Sequence, residues 1–352
     1  MDSLINFNED YYNQIIFEFG YNPLYFQNIN FCFKNISKET LRMKWLCHHN
    51  ADKFVDFFEK GEKSIISTGI GLSGVPHIGT VSQILRAILI QKSNIPVNLV
   101  LGDLDAFNGK NTPLYQVQAL AKKYRDFIRR LGFKESNGSI LRTQFEELNV
   151  LKTSYIIGHY MNDEMFMDAE EDLYEFYKFH KKIDSSMSYR RKLSLNLMIA
   201  DFLDLYFNHN FKNILISLGI DEHKYSRFCI NVIKNIRKDK INYPNFNVFI
   251  GEIYTPLIRG LKNYSKMSKS FPNSGISVND SPETIFEKIR NGEGNYKKPD
   301  ENVVFQMIMW TSDYEIEKIQ ESYKYCLENK SDWKKAKEEY AEYLIKITKL
   351  WN

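Results

Sequence analysis

Short apolar runs alternate with segments of helical periodicity in the first third of the chain. The runs Ser64–Thr68 and Pro96–Leu101 have the length and the bounding residues of strands. Each run is followed by a segment in which apolar residues recur at helical spacing, which predicts one helix after the first turn and another over residues 113–131. The order strand, helix, strand, helix predicts a parallel sheet that is covered on both faces.

The rest of the chain extends this pattern. Residues 160–210 are predicted to be mainly helical, and two further strands are expected at Asn213–Ser217 and Phe246–Ile250. From Pro282 onward the sequence is dense in charge and compatible with helices, with one loop at 291–302. The sequence contains no internal repeat and no low-complexity tract.

Composition is that of an ordinary globular protein. The chain has 352 residues, of which 43% are hydrophobic and 26% charged, enough to bury a substantial core in one large domain or two smaller ones. The formal net charge is only +3, which gives no strong overall field to attract nucleic acid, although a local basic face is compatible with it.

The cysteines and the apolar runs indicate in which cellular compartment the protein is expected. The four cysteines are widely scattered, and no Cys or Cys/His group has metal-ligand spacing, so we interpret them as buried thiols and expect no protein-bound metal. The acidic, polar start of the chain is unlike a secretory signal or a transit peptide, and no apolar run approaches membrane-spanning length. We therefore expect a cytoplasmic protein with no membrane partner.

The turn after the first predicted strand permits two interpretations. Residues 67–80 read STGIGLSGVPHIGT, in which Gly69, Gly71 and Gly74 have the G-x-G-x-x-G spacing of a dinucleotide-binding turn. That interpretation requires the third glycine to open the helix and an acidic residue about 20 positions further on. Here two residues intervene before the helical pattern and the acidic residues come late. A dehydrogenase is therefore the weaker interpretation.

A second motif far downstream favours a different nucleotide site. Residues 266–270 read KMSKS, and two lysines on a small, hydroxyl-rich loop can cover a triphosphate and stabilise the charge of departing pyrophosphate. His77 can donate to a phosphate oxygen, and Gly79 lets a nucleotide lie close to the backbone. Alone, His77 could be a helix cap and the lysines a solvated loop. Their order along the chain, after a strand and before a helix, favours the functional interpretation.

The two motifs together resemble the HIGH and KMSKS signatures of class I aminoacyl-tRNA synthetases, which hold ATP on a Rossmann-like sheet. Thr80 stands at the fourth position of HIGH, a departure that concerns only that residue, whereas KMSKS is intact. The resemblance implies catalytic roles for His77, Lys266 and Lys269. It also implies an ATP site built from Gly69, Gly79, Thr80, Gly219, Asp221, Met267 and Ser268.

Two further stretches resemble the tryptophanyl/tyrosyl branch of this class, and the tryptophanyl enzymes most closely. GIDE at residues 219–222 is similar to a GIDQ-type segment whose Asp lies near the ATP ribose, which implies that role for Asp221. LMIADFL at residues 197–203 resembles an LMAADIL segment whose Met and Asp face the amino-acid side chain, although a plain amphipathic helix has the same pattern. Tyrosyl enzymes usually carry Gln in place of Met198, which favours tryptophan.

The expected amino-acid site departs from the family pattern. Ser67 stands where eukaryotic and archaeal tryptophanyl enzymes carry a Tyr, whose ring would give an indole a stacking surface. Asp105 is assigned to the neighbourhood of the substrate's amino group from its position alone. The resemblance thus implies an amino-acid site that contains Ser67, Asp105, Met198, Asp201 and Glu222.

The function implied by the resemblance is ATP-dependent activation of an amino acid, with tryptophan favoured, followed by transfer of the aminoacyl group to tRNA. ATP would act as its Mg²⁺ complex, and relatives of this branch are usually homodimers. Two alternatives stay open. One is a synthetase paralogue that activates a different amino acid or uses a different acceptor, and the other is a catalytically silent synthetase-like binding protein. The short C-terminal region has mixed charges and does not show how an acceptor RNA is recognised.

The expected architecture follows from the pattern and the resemblance together. The fold class is α/β, with a Rossmann-like doubly wound parallel sheet and a small C-terminal helical region. Residues 1–60 are aromatic, irregular and not separated by a Gly/Pro linker, so we expect an N-terminal extension that packs on the core. The catalytic domain is expected over residues 61–280 and the helical region over residues 281–352.

Overall fold

A computed structural model gives the architecture of the chain. It describes residues 9–24, 29–170, 174, 178, 187–261, 264–269, 271–328 and 331–352.

Within these residues, seven strands form one sheet. The strands are β1 (Asn22–Pro23), β2 (Cys47–His49), β3 (Ser64–Gly71), β4 (Val97–Gly102), β5 (Ile140–Thr143), β6 (Asn213–Gly219) and β7 (Phe249–Thr255). Their order across the sheet is β1-β2-β7-β6-β3-β4-β5. The five strands from β7 to β5 are parallel, whereas β2 runs antiparallel to β7 and β1 antiparallel to β2. The predicted α/β, Rossmann-like fold is confirmed.

Helices connect the parallel strands and cover the sheet. Those whose bounds lie fully inside the described residues are α1 (Glu9–Phe19), α2 (Lys38–Lys44), α3 (Ala51–Glu59), α4 (Ile78–Lys92), α5 (Asp103–Lys110), α6 (Leu114–Leu131), α7 (Leu148–Ile157), α8 (Asp163–Asp168), α9 (Tyr189–Phe207), α10 (His223–Lys238), α11 (Pro282–Asn291), α12 (Val303–Thr311), α13 (Ile316–Glu328) and α14 (Ser331–Lys349). Short 3₁₀ turns lie at Gly158–Tyr160, Ile220–Glu222, Pro272–Ser274 and Pro299–Glu301. No helix of the described residues is long and apolar enough to cross a membrane.

Several predicted boundaries differ from the structure. The first strand extends to Gly71, so Gly69 and Gly71 lie in β3 and not in the turn, because pairing with β4 continues as far as Gly102. The last predicted strand begins at Phe249 instead of Phe246 and continues to the end of β7. The short strands β1, β2 and β5 were not predicted, since two to four residues carry too little periodicity to be recognised.

The helical predictions agree better. Residues 113–131 correspond to α6, whose buried face carries Val117, Tyr124 and Phe127. The prediction for 160–210 holds for α8 and α9, while residues 171–173, 175–177 and 179–186 lie outside the described residues. The C-terminal region is helical, and the loop predicted at 291–302 separates α11 from α12.

The sheet topology positions a crevice. From β3 the chain crosses to β4 on one side, and later it returns to place β6 on the other side of β3. In open parallel sheets, ligands bind at this kind of switch point, outside the carboxyl ends of the strands. β3 and β6 end at Gly71 and Gly219, so any ligand site is expected beside these two residues.

The N-terminal and C-terminal regions share one core with the sheet. Trp45 is buried in the same apolar cluster as Phe305 of α12 and Leu344 of α14. The ammonium group of Lys44 donates to the carbonyls of Met309 (2.6 Å) and Ser312 (2.9 Å), which satisfies carbonyl groups at the end of α12. These contacts anchor the start of the chain to the C-terminal helices.

Candidate active site

His77 caps α4 at the switch point. Its Nδ1 accepts a hydrogen bond of 3.0 Å from the backbone N–H of Gly79, so the proton of the neutral ring lies on Nε2. Burial, together with the positive charges of Lys269 and Lys266, lowers the pKa of His77 to about 3. A neutral imidazole with a donor at Nε2 is therefore present at pH 7. A Cβ at position 79 would lie 2.8 Å from Cε1 of His77, so this geometry requires glycine.

Main-chain hydrogen bonds join the two sequence motifs. The N–H of Ile78 donates to the carbonyl of Ile276 (2.9 Å), and the N–H of Val278 donates to the carbonyl of Pro76 (3.0 Å). These bonds attach the segment that follows KMSKS to the start of α4. The N–H of Met267 donates to the carbonyl of Ile258 (3.1 Å), which fixes the other end of the loop. Two segments almost 200 residues apart in sequence thereby form one structure.

Both lysines of the second motif have protein partners. Lys266 forms an ion pair with Asp221, which lies just beyond the end of β6. Lys269 donates to the carbonyl of Gly71 at the end of β3, and its ammonium group lies 5.5 Å from the ring centre of Tyr124. Burial lowers the pKa of Lys269 to about 7, against the opposing influence of Glu222 and Asp105.

The segment around Asp221 is shaped by close packing. A Cβ at Gly219 would lie 2.6 Å from Oδ1 of Asp221 and 3.2 Å from the side chain of Leu257. Leu257 is in turn held by α1, because its N–H donates to the hydroxyl of Tyr12 (3.1 Å) and that hydroxyl donates to its carbonyl (3.4 Å). The N-terminal helix thus supports one wall of the crevice.

These segments enclose one cleft, here called the outer cleft. Every residue assigned from the sequence to catalysis or to ATP contributes to its lining: Gly69, His77, Gly79, Thr80, Gly219, Asp221, Lys266, Met267, Ser268 and Lys269. Met267 and Thr80 are almost entirely buried, so their part in the lining is small. The arrangement places a neutral donor and two ammonium groups around one space, which suits a polyanion.

A second space, here called the inner cavity, adjoins the outer cleft, since Gly69, Gly71 and Glu222 contribute to the lining of both. Asp105, Met198, Asp201 and Glu222, four of the residues assigned to the amino acid, contribute to its lining. Its walls are largely apolar and include two aromatic rings; residues that form them are Ile70, Val100, Leu195, Phe202, Leu218 and Tyr225.

Ser67 occupies a different place from the other predicted residues. It is fully buried inside the sheet, where its hydroxyl accepts a hydrogen bond of 3.0 Å from the side-chain amide of Asn98. The next residue, Thr68, lines the inner cavity. Ser67 itself does not contribute to the lining of that cavity.

Asp201 is the most unusual group of the inner cavity. Its Oδ2 accepts a hydrogen bond of 2.8 Å from the side-chain amide of Gln144, whereas Oδ1 has no hydrogen-bond partner among the described residues. The guanidinium of Arg142 lies 3.8 Å from Oδ1 and donates to the backbone carbonyl of Asp201 (2.9 Å). Burial raises the pKa of Asp201 to about 7, although Arg142 and Gln144 oppose the shift.

Sequence reasoning missed several residues of the inner cavity, among them Gln144, Arg191 and Tyr225. Gln144 follows β5, a strand that was not recognised, and Arg191 begins α9 and pairs with Glu170 (2.8 Å). Tyr225 belongs to the segment after Gly219, but its ring was not assigned to the cavity. A short run with two apolar residues, Ile140 and Leu141, after the polar residues 136–139 was the one signal for β5.

The comparison with protein families agrees with this geometry. The model described as tRNA synthetases class I (W and Y) matches residues 59–349. The chain belongs to this family and is a class I aminoacyl-tRNA ligase of the tryptophanyl/tyrosyl type. The resemblance inferred from the sequence is confirmed, and the dehydrogenase interpretation was wrong.

Individual relatives lie at low identity. The chain is 21% identical over 321 residues to a tryptophan–tRNA ligase of Methanocaldococcus jannaschii, which covers 86% of this chain and 81% of that protein. It is 23% identical over 256 residues to a tyrosine–tRNA ligase of Methanopyrus kandleri, which covers 71% of this chain and 70% of that protein. Relatives with both specificities are thus about equally distant.

Solved structures show the same fold. The tryptophanyl-tRNA synthetase of Aeropyrum pernix K1 superposes with a TM-score of 0.77 at 17% identity, over 97% of this chain and 95% of that chain. A tryptophanyl-tRNA synthetase from Encephalitozoon cuniculi bound to tryptophan superposes with a TM-score of 0.71 at 20% identity, over 99% and 94% of the two chains.

Proposed function

We propose that this enzyme activates tryptophan with MgATP and transfers the tryptophanyl group to tRNA. Membership of the family implies ATP, an amino acid and tRNA as substrates. In the first step an oxygen of the substrate carboxylate forms a bond to the α-phosphorus of ATP, and the bond between that phosphorus and the bridging oxygen to the β-phosphorus breaks. The products are an aminoacyl adenylate and pyrophosphate, and Mg²⁺ belongs to the triphosphate as part of the substrate.

The outer cleft suits this chemistry because it supplies donors where negative charge develops. Nε2 of His77 carries a proton at pH 7 and can donate to a phosphate oxygen. Lys266 and Lys269 can exchange their present partners, the carboxylate of Asp221 and the carbonyl of Gly71, for oxygens of the leaving pyrophosphate. Positioned donors of this kind are the usual source of rate in phosphate chemistry that leaves little covalent work to the protein.

Asp221 is proposed to contact the ribose of ATP. Once Lys266 moves to the triphosphate, the carboxylate of Asp221 becomes available to accept from a ribose hydroxyl, as the resemblance implies. Gly219 and Gly79, which carry no side chain into the outer cleft, leave room for a nucleoside to approach the backbone. Thr80 and Ser268 are assigned to the same site by their place in the lining of the outer cleft.

The free Oδ1 of Asp201 is the single observation that favours tryptophan. A buried carboxylate oxygen without a hydrogen-bond donor is costly, so a ligand that brings a donor there is favoured. The indole ring of tryptophan carries one N–H donor and no acceptor, and the apolar walls around Phe202 and Tyr225 suit the rest of the ring. At the other end, Asp105 and Glu222 can face the substrate ammonium group.

Tyrosine is the second candidate. A tyrosine–tRNA ligase is among the relatives, and a phenol O–H could also donate to Oδ1 of Asp201. The phenol oxygen is an acceptor as well, however, and Gln144 already uses its amide to bridge Asp105 and Asp201. The end of the cavity at Asp201 therefore offers mainly acceptors, which favours the indole of tryptophan over the phenol of tyrosine.

The test is amino-acid-dependent exchange of labelled pyrophosphate into ATP across the standard amino acids, with and without tRNA. We expect exchange with tryptophan, and a loss of about a hundredfold or more in kcat for His77→Ala, as for removal of one transition-state donor. Lys234→Ala, an exposed residue of α10, serves as the control and should match the parent enzyme. Exchange with tyrosine or another amino acid would overturn the choice of tryptophan, and no exchange at all would overturn the activation reaction.

A homodimer is part of the proposal, carried by the family resemblance. Large apolar side chains are exposed on and just before α7, namely Phe145 (44%), Leu148 (68%), Tyr155 (89%) and Ile156 (49%). Such a group on one helix face is a candidate contact surface for a second copy. Sedimentation analysis of the parent chain and of Tyr155→Glu decides the point. A monomeric parent chain contradicts the dimer.

A further inference from the structure

Gln144 contacts both Asp105 and Asp201, two residues that line the inner cavity. It follows the carboxyl end of β5, its side chain is almost fully buried, and it contributes to the cavity lining. We propose that Gln144 is a positioning residue for amino-acid recognition, whose amide holds Asp201 at the ring end and Asp105 at the ammonium end of the substrate. The inference rests on the proposed function of this cavity.

Both ends of the amide are engaged. Its Oε1 accepts a hydrogen bond of 3.1 Å from the backbone N–H of Asp105, and its Nε2 donates to Oδ2 of Asp201 over 2.8 Å. A flipped amide would place its carbonyl oxygen against the carboxylate and its NH₂ group against an N–H. The contacts therefore fix one orientation. The backbone around Gln144 is fixed as well, because its N–H donates to Oδ1 of Asp103 (3.0 Å).

The bond to Asp201 decides which oxygen meets the substrate. Because Gln144 occupies Oδ2, the oxygen left without a hydrogen-bond donor is Oδ1, to which Arg142 comes no closer than 3.8 Å. Arg142 lies near the same carboxylate, but its guanidinium forms an ion pair of 2.6 Å with Asp204 and donates to the backbone carbonyl of Asp201. Gln144 is thus the one neutral donor to this carboxylate among the described residues.

The charges that face Asp201 set how the loss of Gln144 would act. Arg142 of β5 favours the carboxylate form, while Asp204 of α9 and Asp103 of α5 disfavour it. The hydrogen bond from Gln144 also favours the carboxylate form of Asp201, so its loss should raise the pKa of Asp201. Protonation at Oδ1 would then compete with the substrate's N–H for the same oxygen at a higher pH than in the parent enzyme.

The experiment compares Gln144→Met, which keeps the length of the side chain but has no amide, with the parent enzyme in the exchange assay. We expect the KM for the amino acid to rise about ten- to a hundredfold, as for loss of a hydrogen bond to a charged group, while the KM for ATP changes less than about twofold. The pH below which the KM for the amino acid rises should also move upward. In an Asp201→Asn background the same substitution should raise the KM for the amino acid by less than about threefold.

Asn213→Leu provides the matched control. Asn213 is also a buried side-chain amide that bridges two groups, the carbonyl of Phe54 (2.9 Å) and the hydroxyl of Ser64 (2.7 Å), but it lies at the opposite end of the sheet. Asn213→Leu should lower the thermal stability of the protein and leave the pH dependence of the KM for the amino acid unchanged. If Gln144→Met does not fold, Gln144→Ser, which leaves room for water, replaces it.

The outcomes separate the two ideas. A parent enzyme that exchanges pyrophosphate, with variants at Gln144 that keep its amino-acid KM and pH profile, overturns the role of Gln144 alone. Equal losses for the amino acid and for ATP, with no shift of the profile, reduce Gln144 to a structural residue and also overturn it. A parent enzyme that gives no exchange with any amino acid overturns the proposed function and this inference together.

Discussion

Lys266 of the second motif and Asp221 at the end of β6 form an ion pair across the outer cleft, with side chains that are only 19% and 13% exposed. A triphosphate and this carboxylate would compete for the same ammonium group. The ion pair therefore holds Lys266 against the end of β6, and under the proposed mechanism the triphosphate would replace Asp221 as its partner. Lys269, with its bond to the carbonyl of Gly71, holds the KMSKS segment at a second point.

Loss of this ion pair should loosen the loop in the free enzyme. In Asp221→Ala, Lys266 has lost its carboxylate partner, and we expect trypsin to cleave after Lys266 or Lys269 about three- to tenfold faster, since local opening becomes easier. MgATP should protect the parent enzyme from this cleavage. Glu339→Ala removes an exposed ion pair with Lys318 (2.9 Å) in the C-terminal helices and should leave cleavage of the loop unchanged. Equal rates in all three proteins would show that the pair does not hold the loop.

The packing of Gly79 against His77 predicts a sharp effect of one methyl group. In Gly79→Ala the new Cβ would lie 2.8 Å from Cε1 of His77, so the imidazole must move away from its cap position. We expect kcat in the exchange assay to fall about tenfold or more, because the imidazole would leave the position from which it is proposed to donate to the phosphate. Gly158→Ala is the control, since a Cβ there meets its nearest neighbour at an ordinary 3.8 Å. An unchanged kcat in Gly79→Ala would count against a role for His77 in the reaction.

The depressed pKa of Lys269 predicts that ATP binding depends on pH. Burial lowers this pKa from 10.5 to about 7, so in the free enzyme the amine is charged below about pH 7 and loses its proton above it. The triphosphate binds the charged form, and binding above that pH must take up a proton. We expect the affinity for MgATP to fall by up to about tenfold per pH unit above pH 7, until other groups dominate.

The measurement is calorimetric titration with MgATP in buffers of different ionisation enthalpy. Lys269→Arg keeps its charge throughout this range, so its affinity should be independent of pH and its proton uptake close to zero. The same slope in Lys269→Arg and in the parent enzyme would assign the dependence to another group. In the free protein, the lowered pKa also means that stability rises with pH between the folded and the unfolded values of Lys269.

Asp201 should govern the amino acid and leave the nucleotide unaffected. In Asp201→Asn the volume is kept, but the charged acceptor at Oδ1 is lost, and we expect the KM for the amino acid to rise about tenfold or more with little change in the KM for ATP. The protein should stay folded because Arg142 retains its ion pair with Asp204. Asp168→Asn, at an exposed position of α8, is the control. Equal effects on both substrates would contradict a role at the ring end of the cavity.

Much of the outer cleft could be predicted from the sequence because its parts are local. His77, Gly79 and the lysines of KMSKS lie in short segments whose residue types suit a nucleotide site, so the pattern is visible without a structure. The main strands and α6 were visible because apolar periodicity is itself a local signal. The boundaries of β3 and β7 were less certain, since pairing with neighbouring strands decides where a strand ends.

The inner cavity was less predictable because distant segments build it. Met198 and Asp201 were found through one helix, but Gln144 comes from a four-residue strand that carries no motif, and Tyr225 lies in a segment that was associated with ATP. Ser67 was assigned to the amino-acid site through the family resemblance, whereas in the structure it is buried against Asn98 and does not contribute to the cavity lining.

The sequence by itself determined the class of fold, the nucleotide chemistry and the branch of the family, because these depend on periodicity and on short motifs. The tertiary structure alone decided that the KMSKS segment is tied to α4 through Ile78 and Ile276, that Lys266 rests on Asp221, and that Gln144 leaves one oxygen of Asp201 free. These are relationships between residues far apart in the chain. They are set by how buried polar groups find partners when the sheet assembles, and no local pattern encodes that pairing.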